Sequence, residues 1–422
     1  MIEEKDMPFM GIVHRLGSPI LRLAAVLMLV FTVVIPASAQ PAGAENPTVR
    51  RAGSEPAETM SGRTVEANTA TPAPSADVDP MAGADTTAEG RNGWIFFPYI
   101  FYTPETRVGI GGGGGYFFRN PCSCDESRPS TVLGNIIYTQ NKQLVLAVQP
   151  DIYWRDEKYY LRAELSYQKF PDKFYGIGNR TSSDLEEDFT PREIHLLLKL
   201  QVRLLGGFSA GPLYEYFDGT LEEVEAGGLL DQGTIPGSGG ARVSGAGLLL
   251  SWDTRDNIYL PSEGSHYQFS AAWFGSALGS RYDFRRYVAD LRQYLTVWAS
   301  HVLAFQVYVR STNGRVPFQH LSKLGGSLLM RGYYEGRYRD HDLIVIQSEI
   351  RLPLWRRFGV TGFAGLGEVA SKMSLFQTSQ MNVSAGFGLR YLLIPEEKMN
   401  LRFDLGFGKD TSGFYVTITE AF

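Results

Sequence analysis

Arg331, Gly332 and Tyr333 stand in a row in a chain with few clustered reactive groups. A guanidinium withdrawn from bulk water demands a carboxylate partner, because an unpaired charge there is costly. Gly332 allows a turn where a Cβ would clash, and Tyr333 offers a ring to pack against a wall. This is docking chemistry, in which no bond is made or broken. Signals for catalysis are weaker. There is no Gly-x-Ser-x-Gly, and His195, His266, His301, His320 and His341 share no motif. His341, set between Asp340 and Asp342, reads as part of a solvated loop cluster. The run Gly109-Ile110-Gly111-Gly112-Gly113-Gly114 matches the spaced glycines of dinucleotide sites but lacks their βαβ setting, so it reads as a strand with room to bend or to leave space beside it. Cys122 and Cys124 are the only cysteines, and a local disulfide or free thiols fit them better than a metal, which would need further Cys or His. The expectation is a protein that is not an enzyme, with no catalytic residue, no metal and no cofactor.

What could hold these residues in place is a β-barrel. The chain has 422 residues, is 44% hydrophobic and 13% aromatic, and carries a net charge of −5 with Lys and Arg scattered, which points away from nucleic acid. Its aromatics suit the two water–lipid boundaries of a membrane. Arg15 and Arg22 precede an apolar run over 23–35 and the small-residue site Ala37-Ser38-Ala39, so residues 1–39 read as a secretory signal peptide, too short to span a bilayer as a helix. Residues 40–92 are rich in Pro, Ala, Thr, Glu and Gly without periodicity and read as a disordered periplasmic leader. Residues 93–422 read as a membrane-spanning antiparallel β-barrel, an all-β fold in the bacterial outer membrane.

Alternation carries that reading. Leu401, Phe403, Leu405 and Phe407 fall on one face of a strand and Arg402, Asp404, Gly406 and Gly408 on the other. Val383, Phe387 and Leu389 oppose Ser384, Gly386, Gly388 and Arg390 in the same way, and Leu198 and Leu200 oppose Lys199 and Gln201. Charges on an inner face can be solvated only by a watery or polar lumen. Sixteen strands are predicted: 94–102, 107–119, 130–140, 143–155, 158–169, 195–205, 208–217, 242–252, 265–274, 284–298, 302–310, 343–354, 360–370, 381–392, 399–408 and 413–422. The number is even, as a closed bacterial barrel requires, and the longest connections, 170–194, 218–241 and 311–342, all follow odd strands, as outer loops should. The connection 120–129 is long for the other side. The last strand, with Phe414, Val416 and Ile418 on its apolar face and an end at Phe422, reads as a C-terminal assembly signal.

The sixth outer loop then holds Leu329-Met330-Arg331-Gly332-Tyr333. With the turn Asp253-Thr254-Arg255-Asp256-Asn257 through Pro261-Ser262-Glu263-Gly264 and the C-terminal strand, it makes residues 243–422, and more weakly 94 onward, resemble the BamA/TamA family of outer-membrane assembly proteins, the bacterial surface antigen family. The resemblance implies that the loop enters the barrel and that its arginine meets acidic residues on the twelfth and thirteenth strands. Glu349, which shares its face with Gln347 and Arg351, is the partner expected on the twelfth. The thirteenth carries Phe363, Gly365 and Gly367; the family often places an Asp two residues after the Phe, where Gly365 stands, and Glu368 falls on the other parity. The resemblance implies insertion or translocation of polypeptides through a seam between the first and last strands. It also implies outer-membrane lipid, assembly machinery and client proteins as partners. The segment 40–92 is too short for the periplasmic polypeptide-transport domains that the best-known members carry, so a pore, a lipid-handling barrel and a structural surface antigen stay open as alternatives.

Overall fold

The computed structural model describes residues 93–103, 107–118, 128–140, 142–298, 300–395 and 397–422. The expected signal peptide and leader, and Cys122 and Cys124, lie outside the described residues. Sixteen long strands are present: β1 (Gly93–Thr103), β2 (Arg107–Phe118), β3 (Ser130–Thr139), β4 (Leu144–Trp154), β5 (Tyr159–Lys169), β6 (Glu187–Leu205), β7 (Phe208–Val224) and β8 (Ala241–Asp253). They continue as β9 (Gly264–Phe274), β10 (Phe284–Trp298), β11 (His301–Gly314), β12 (Asp342–Trp355), β13 (Phe358–Ala370), β14 (Asn382–Ile394), β15 (Met399–Gly408) and β16 (Thr411–Ile418). Each pairs antiparallel with its sequence neighbour, so the ladders run unbroken from β1 to β16. Among the described residues no ladder joins β16 back to β1.

The period of two sorts the side chains by solvent. Ile136, Val148, Leu165, Leu248, Phe269, Phe387 and Phe414 are exposed on the outer face, a belt that lipid accepts and water would not. Side chains of opposite parity, from β4 round to β11, line one interior cavity of about 1680 Å³. The sheet therefore curls about a polar lumen instead of packing on a second sheet.

The long connections all lie on one side, and there the apolar core collects. Phe174, Phe189, Phe217, Leu230, Val243, Phe274, Phe284, Phe318 and Leu321 form a buried cluster shared by strand ends and the connections 170–186, 225–240 and 315–341. Arg339 is buried over Phe174 at 4.9 Å and donates to the Lys173 carbonyl at 3.1 Å, which ties two of those loops together.

Several strand ends differ from expectation, with those of β6, β7 and β16 having a clear physical reason. β6 begins at Glu187 and not at 195, and β7 runs on to Val224, because the pair continues beyond the apolar belt. Pro191 and the acidic pair Glu187 and Asp188 look like a loop, yet the register takes up Pro191 by shifting between Thr190 and Pro191. β16 stops at Ile418, four residues before the expected end. Thr419 turns with φ +69°, and Phe422 is buried inside with Ala421 against Tyr294 and Ala304, so it is no lipid-facing strand terminus. Polar groups draw this tail inward: Glu420 meets Arg390 at 2.9 Å and Asn400 at 2.7 Å, and the Phe422 carbonyl accepts from Arg351 at 2.7 Å.

Candidate functional site

The loop 315–341 enters the lumen through a 3-10 turn, Phe318–His320, and a small hairpin, Ser322–Leu324 with Tyr338–Asp340. Its tip then lies on the inner wall. Met330 takes a left-handed φ of +54° and is fully buried among Leu324, Tyr333, Tyr338, Leu343, Val345 and Val369. Apolar burial there offsets a backbone strain of about 1–2 kcal/mol. Gln347 of β12 secures the tip by donating to the Leu328 carbonyl at 2.8 Å and accepting from the Met330 amide at 3.3 Å.

Two glycines let the backbones touch. Gly332 has φ +112°, and a Cβ on it would fall 2.6 Å from the Phe407 carbonyl carbon; a Cβ on Gly406 would fall 2.6 Å from the Gly332 nitrogen. The loop tip is thus pressed onto β15 with no side chain between. Tyr333 lies across Gly408, donates its hydroxyl to the Val383 carbonyl at 2.9 Å and accepts from the Lys409 amide at 2.9 Å. Tyr415 of β16 completes the clasp, accepting from the Gly332 amide at 3.0 Å and donating to the Tyr333 carbonyl at 3.2 Å.

Arg331 projects from this clasp into a buried charge network. Its Nη2 donates to Glu349 at 2.6 Å, its Nη1 donates to Asp404 at 2.5 Å, and its guanidinium lies 3.5 Å over the Phe363 ring. All three charged groups are almost wholly buried. Arg351 donates to Glu349 at 2.9 Å, and Arg390 donates to Asp404 at 2.6 Å. Arg402 sits 3.5 Å from Asp404 and donates to Thr417 at 2.7 Å and to the Ser327 carbonyl at 3.0 Å. With Glu420 on Arg390, four arginines share three carboxylates. Such a cluster holds in low dielectric only because every ion has a counter-ion in contact.

The structure brings Arg331 and Glu349 together and sets Phe363 under the guanidinium. Gly365 and Gly367 pair with nothing charged. They make room, since a Cβ on either would come within about 3.0 Å of Met330 or Leu324. The second acidic partner comes from β15 as Asp404 and not from the thirteenth strand, so the pattern implied by the resemblance is corrected here. Glu368 keeps its outward parity and accepts from the Gln377 amide at 3.0 Å. Phe414 and Val416 stand on the exposed outer face, with Ile418 closing the strand. Asp404, Arg390 and Arg402 could have been found from the sequence, because alternation already puts them on the wet faces of their strands.

On the opposite rim, residues 254–263 form the one long turn among the described tight-side connections. Asp253 holds Arg255 at 2.9 Å and Arg128 at 2.9 Å. Asn257 accepts two amides at 2.8 Å, and Asp256 accepts those of Ser262 and Glu263 at 2.8 and 3.1 Å. Arg351 reaches the Pro261 carbonyl at 3.2 Å, so the turn is joined to the network.

Residues 241–422 match the Omp85 superfamily domain. Among solved structures, BamA from Haemophilus ducreyi lacking POTRA domains 1–3 is similar, with a TM-score of 0.50 at 12% identity over 78% of this chain and 69% of that one. CdiB from Acinetobacter baumannii aligns with a TM-score of 0.48 at 13% identity over 77% and 59% of the two chains. CdiB from Escherichia coli aligns with 0.48 at 11% over 78% and 61%. This chain therefore spans about three fifths of the CdiB chains. No curated protein matches it.

Proposed function

We propose that this barrel, which carries an Omp85 superfamily domain over residues 241–422, assists the insertion or translocation of polypeptides at the bacterial outer membrane, without enzymatic chemistry. The observation that carries this reading is the asymmetry of the first and last strands. The loop tip clasps β15 and β16 from inside through Gly332, Tyr333 and Arg331, whereas β1 has its ladder with β2 alone among the described residues. At β15 and β16 the lining of the cavity passes onto the outer apolar face, at Leu401, Phe403, Val416 and Ile418. A polar lumen that reaches apolar residues at a free edge suits a client strand that must exchange water for lipid. Partners of the proposal are outer-membrane lipid, client polypeptides and the assembly machinery.

A steady open pore fits less well, since the loops and their apolar cluster cover one end of the lumen. The test locks the edge. Cysteines replacing Phe96 and Phe414, both on exposed outer positions, are bridged in cells with a flexible bismaleimide. Bridged protein is expected to fail in a deletion strain profiled for outer-membrane protein content, while the unbridged double variant restores it. Equal complementation by bridged and unbridged protein would show that the seam plays no part.

A further inference from the structure

A second cavity opens on the side of the long connections and shares no lining residue with the lumen cavity. Its volume is about 790 Å³, within the size range of small-molecule sites. Four connections build it: 170–186, the tip loop at 334–338, 371–381 and the turn between β15 and β16. Hydrogen bonds between those connections fix its walls. Asn179 donates to the Gln380 carbonyl at 2.9 Å and accepts from Asn382 at 2.9 Å and from the Val369 amide at 3.2 Å. Tyr334 donates to Asp172 at 2.8 Å, and the Lys409 amide holds the last turn to Tyr333.

The chemistry of the lining is selective. Met381 is its one aliphatic side chain among the described residues; hydroxyls, amides, charged groups and the rings of Tyr175, Tyr334 and Tyr338 supply the rest. An acyl chain would find no counterpart there. A ligand covered in hydroxyl groups would meet donors, acceptors and ring surface together. The Ser379 and Thr411 hydroxyls make no hydrogen bond among the described residues, so both are open to such a ligand.

Arg337 is the fixed charge of the site. Its guanidinium lies 4.8 Å from the centre of the Tyr175 ring and 4.5 Å from that of Tyr338. It donates to the Thr181 hydroxyl at 3.0 Å and to the Thr181 carbonyl at 2.8 Å. Those contacts orient the planar fork and leave the remaining N–H donors uncommitted. No carboxylate lies within ion-pair distance of Arg337 among the described residues. Of the two carboxylates in the lining, Glu186 is taken by Lys173, and Asp410 stands exposed in the turn after β15.

We propose that this cavity binds an acidic saccharide, with its carboxylate on the Arg337 fork, its hydroxyl groups against Ser379, Thr411 and Asn382, and a sugar face on the exposed Tyr334 ring. Acidic sugars come to this side of an outer membrane on soluble glycans or as the headgroup of an outer-leaflet lipid, and the cavity recognises the chemistry common to both.

The test titrates full-length protein in detergent by calorimetry at matched ionic strength. Its probes are trigalacturonic acid, core oligosaccharide freed from lipopolysaccharide by removal of lipid A, and neutral maltotriose. At least one acidic probe is expected to bind and to raise the temperature of the heat-modifiable mobility shift, because the ligand spans four connections; maltotriose should bind at least about tenfold more weakly. Tighter binding of trigalacturonate assigns a soluble glycan, and tighter binding of the core oligosaccharide assigns the lipid headgroup. Arg337→Gln should weaken the acidic probes about ten- to hundredfold, to the level of maltotriose, having lost its charge-assisted contact. Ser379→Trp fills the cavity from an exposed position without removing a hydrogen bond, so it should abolish binding while the unliganded shift temperature stays at the parent's. A purely structural role would move that temperature and leave binding intact. Should Arg337→Gln not fold, Ser379→Trp decides. No binding of either acidic probe, equal binding of maltotriose, or parent-like binding by Ser379→Trp overturns the proposal.

Discussion

The lumen holds its cations in two contrasting ways. Around the loop tip every arginine touches a carboxylate, and the loop, β12, β14, β15 and the tail after β16 are joined by those contacts. Lys199 and Arg310 line the cavity with no carboxylate at ion-pair distance among the described residues. Paired ions close a joint, while Lys199 and Arg310 join no strands by charge.

The sharpest way to break the paired region is to remove one of the two carboxylates that three arginines each share. Asp404→Asn keeps the shape and leaves Arg331, Arg390 and Arg402 short of an acceptor, four cations against two anions. We expect a loss of about 3–5 kcal/mol, the usual cost of orphaning buried charge, seen as a large drop in the temperature of the heat-modifiable shift. Arg331→Ala should cost less, about 2–3 kcal/mol, because Glu349 keeps Arg351 and Asp404 keeps Arg390, leaving three against three. The comparison would fail if Arg331→Ala proved the more damaging. The double variant adds a sharper check: deleting Arg331 should recover part of the Asp404→Asn loss, since one of the orphaned charges goes with it. Gly406→Ala tests contact without charge. A methyl there meets the Gly332 backbone at 2.6 Å, so the tip must lift, at a cost of about 1–3 kcal/mol together with faster protease nicking of the loop.

Much of the barrel was legible because a period of two is hard to disguise. All sixteen strands appear in the order that the alternation predicts, and Lys199, Glu349 and Asp404 stand on the wet faces it gives them. Pro191 hid the start of β6, since a proline in a ladder signals an end unless a register shift absorbs it. Phe422 misled for another reason. An aromatic at the end of an alternating run looks lipid-facing, but Glu420 finds Arg390 and pulls the tail inward, a pairing between residues thirty positions apart. The partner of Arg331 on β15 was obscured similarly. Parity places a side chain on a face, whereas the height at which a folded loop meets that face is set by packing, here by Gly332 against Gly406.

The turn 254–263 offers a third way to hold a charge, and the smallest expected effect. Asp256 is satisfied by donors that carry no charge: the amides of Ser262 and Glu263 and the Ser262 hydroxyl at 2.5 Å. Burial pushes its pKa up, but these hydrogen bonds outweigh burial and hold it below the usual carboxylate value. A depressed folded pKa means that the ionised form contributes stability above the unfolded value of about 4, and that this contribution is lost as pH falls through the lower folded one. Asp256→Asn should therefore cost about 1 kcal/mol at neutral pH, and the gap from the parent should close in acid. Asp404→Asn shares the chemistry of the substitution, so comparing the two on one urea series at neutral pH sets a buried carboxylate ringed by arginines against an exposed one held by uncharged donors. Equal losses would mean that the arginine network contributes no more than a set of ordinary hydrogen bonds.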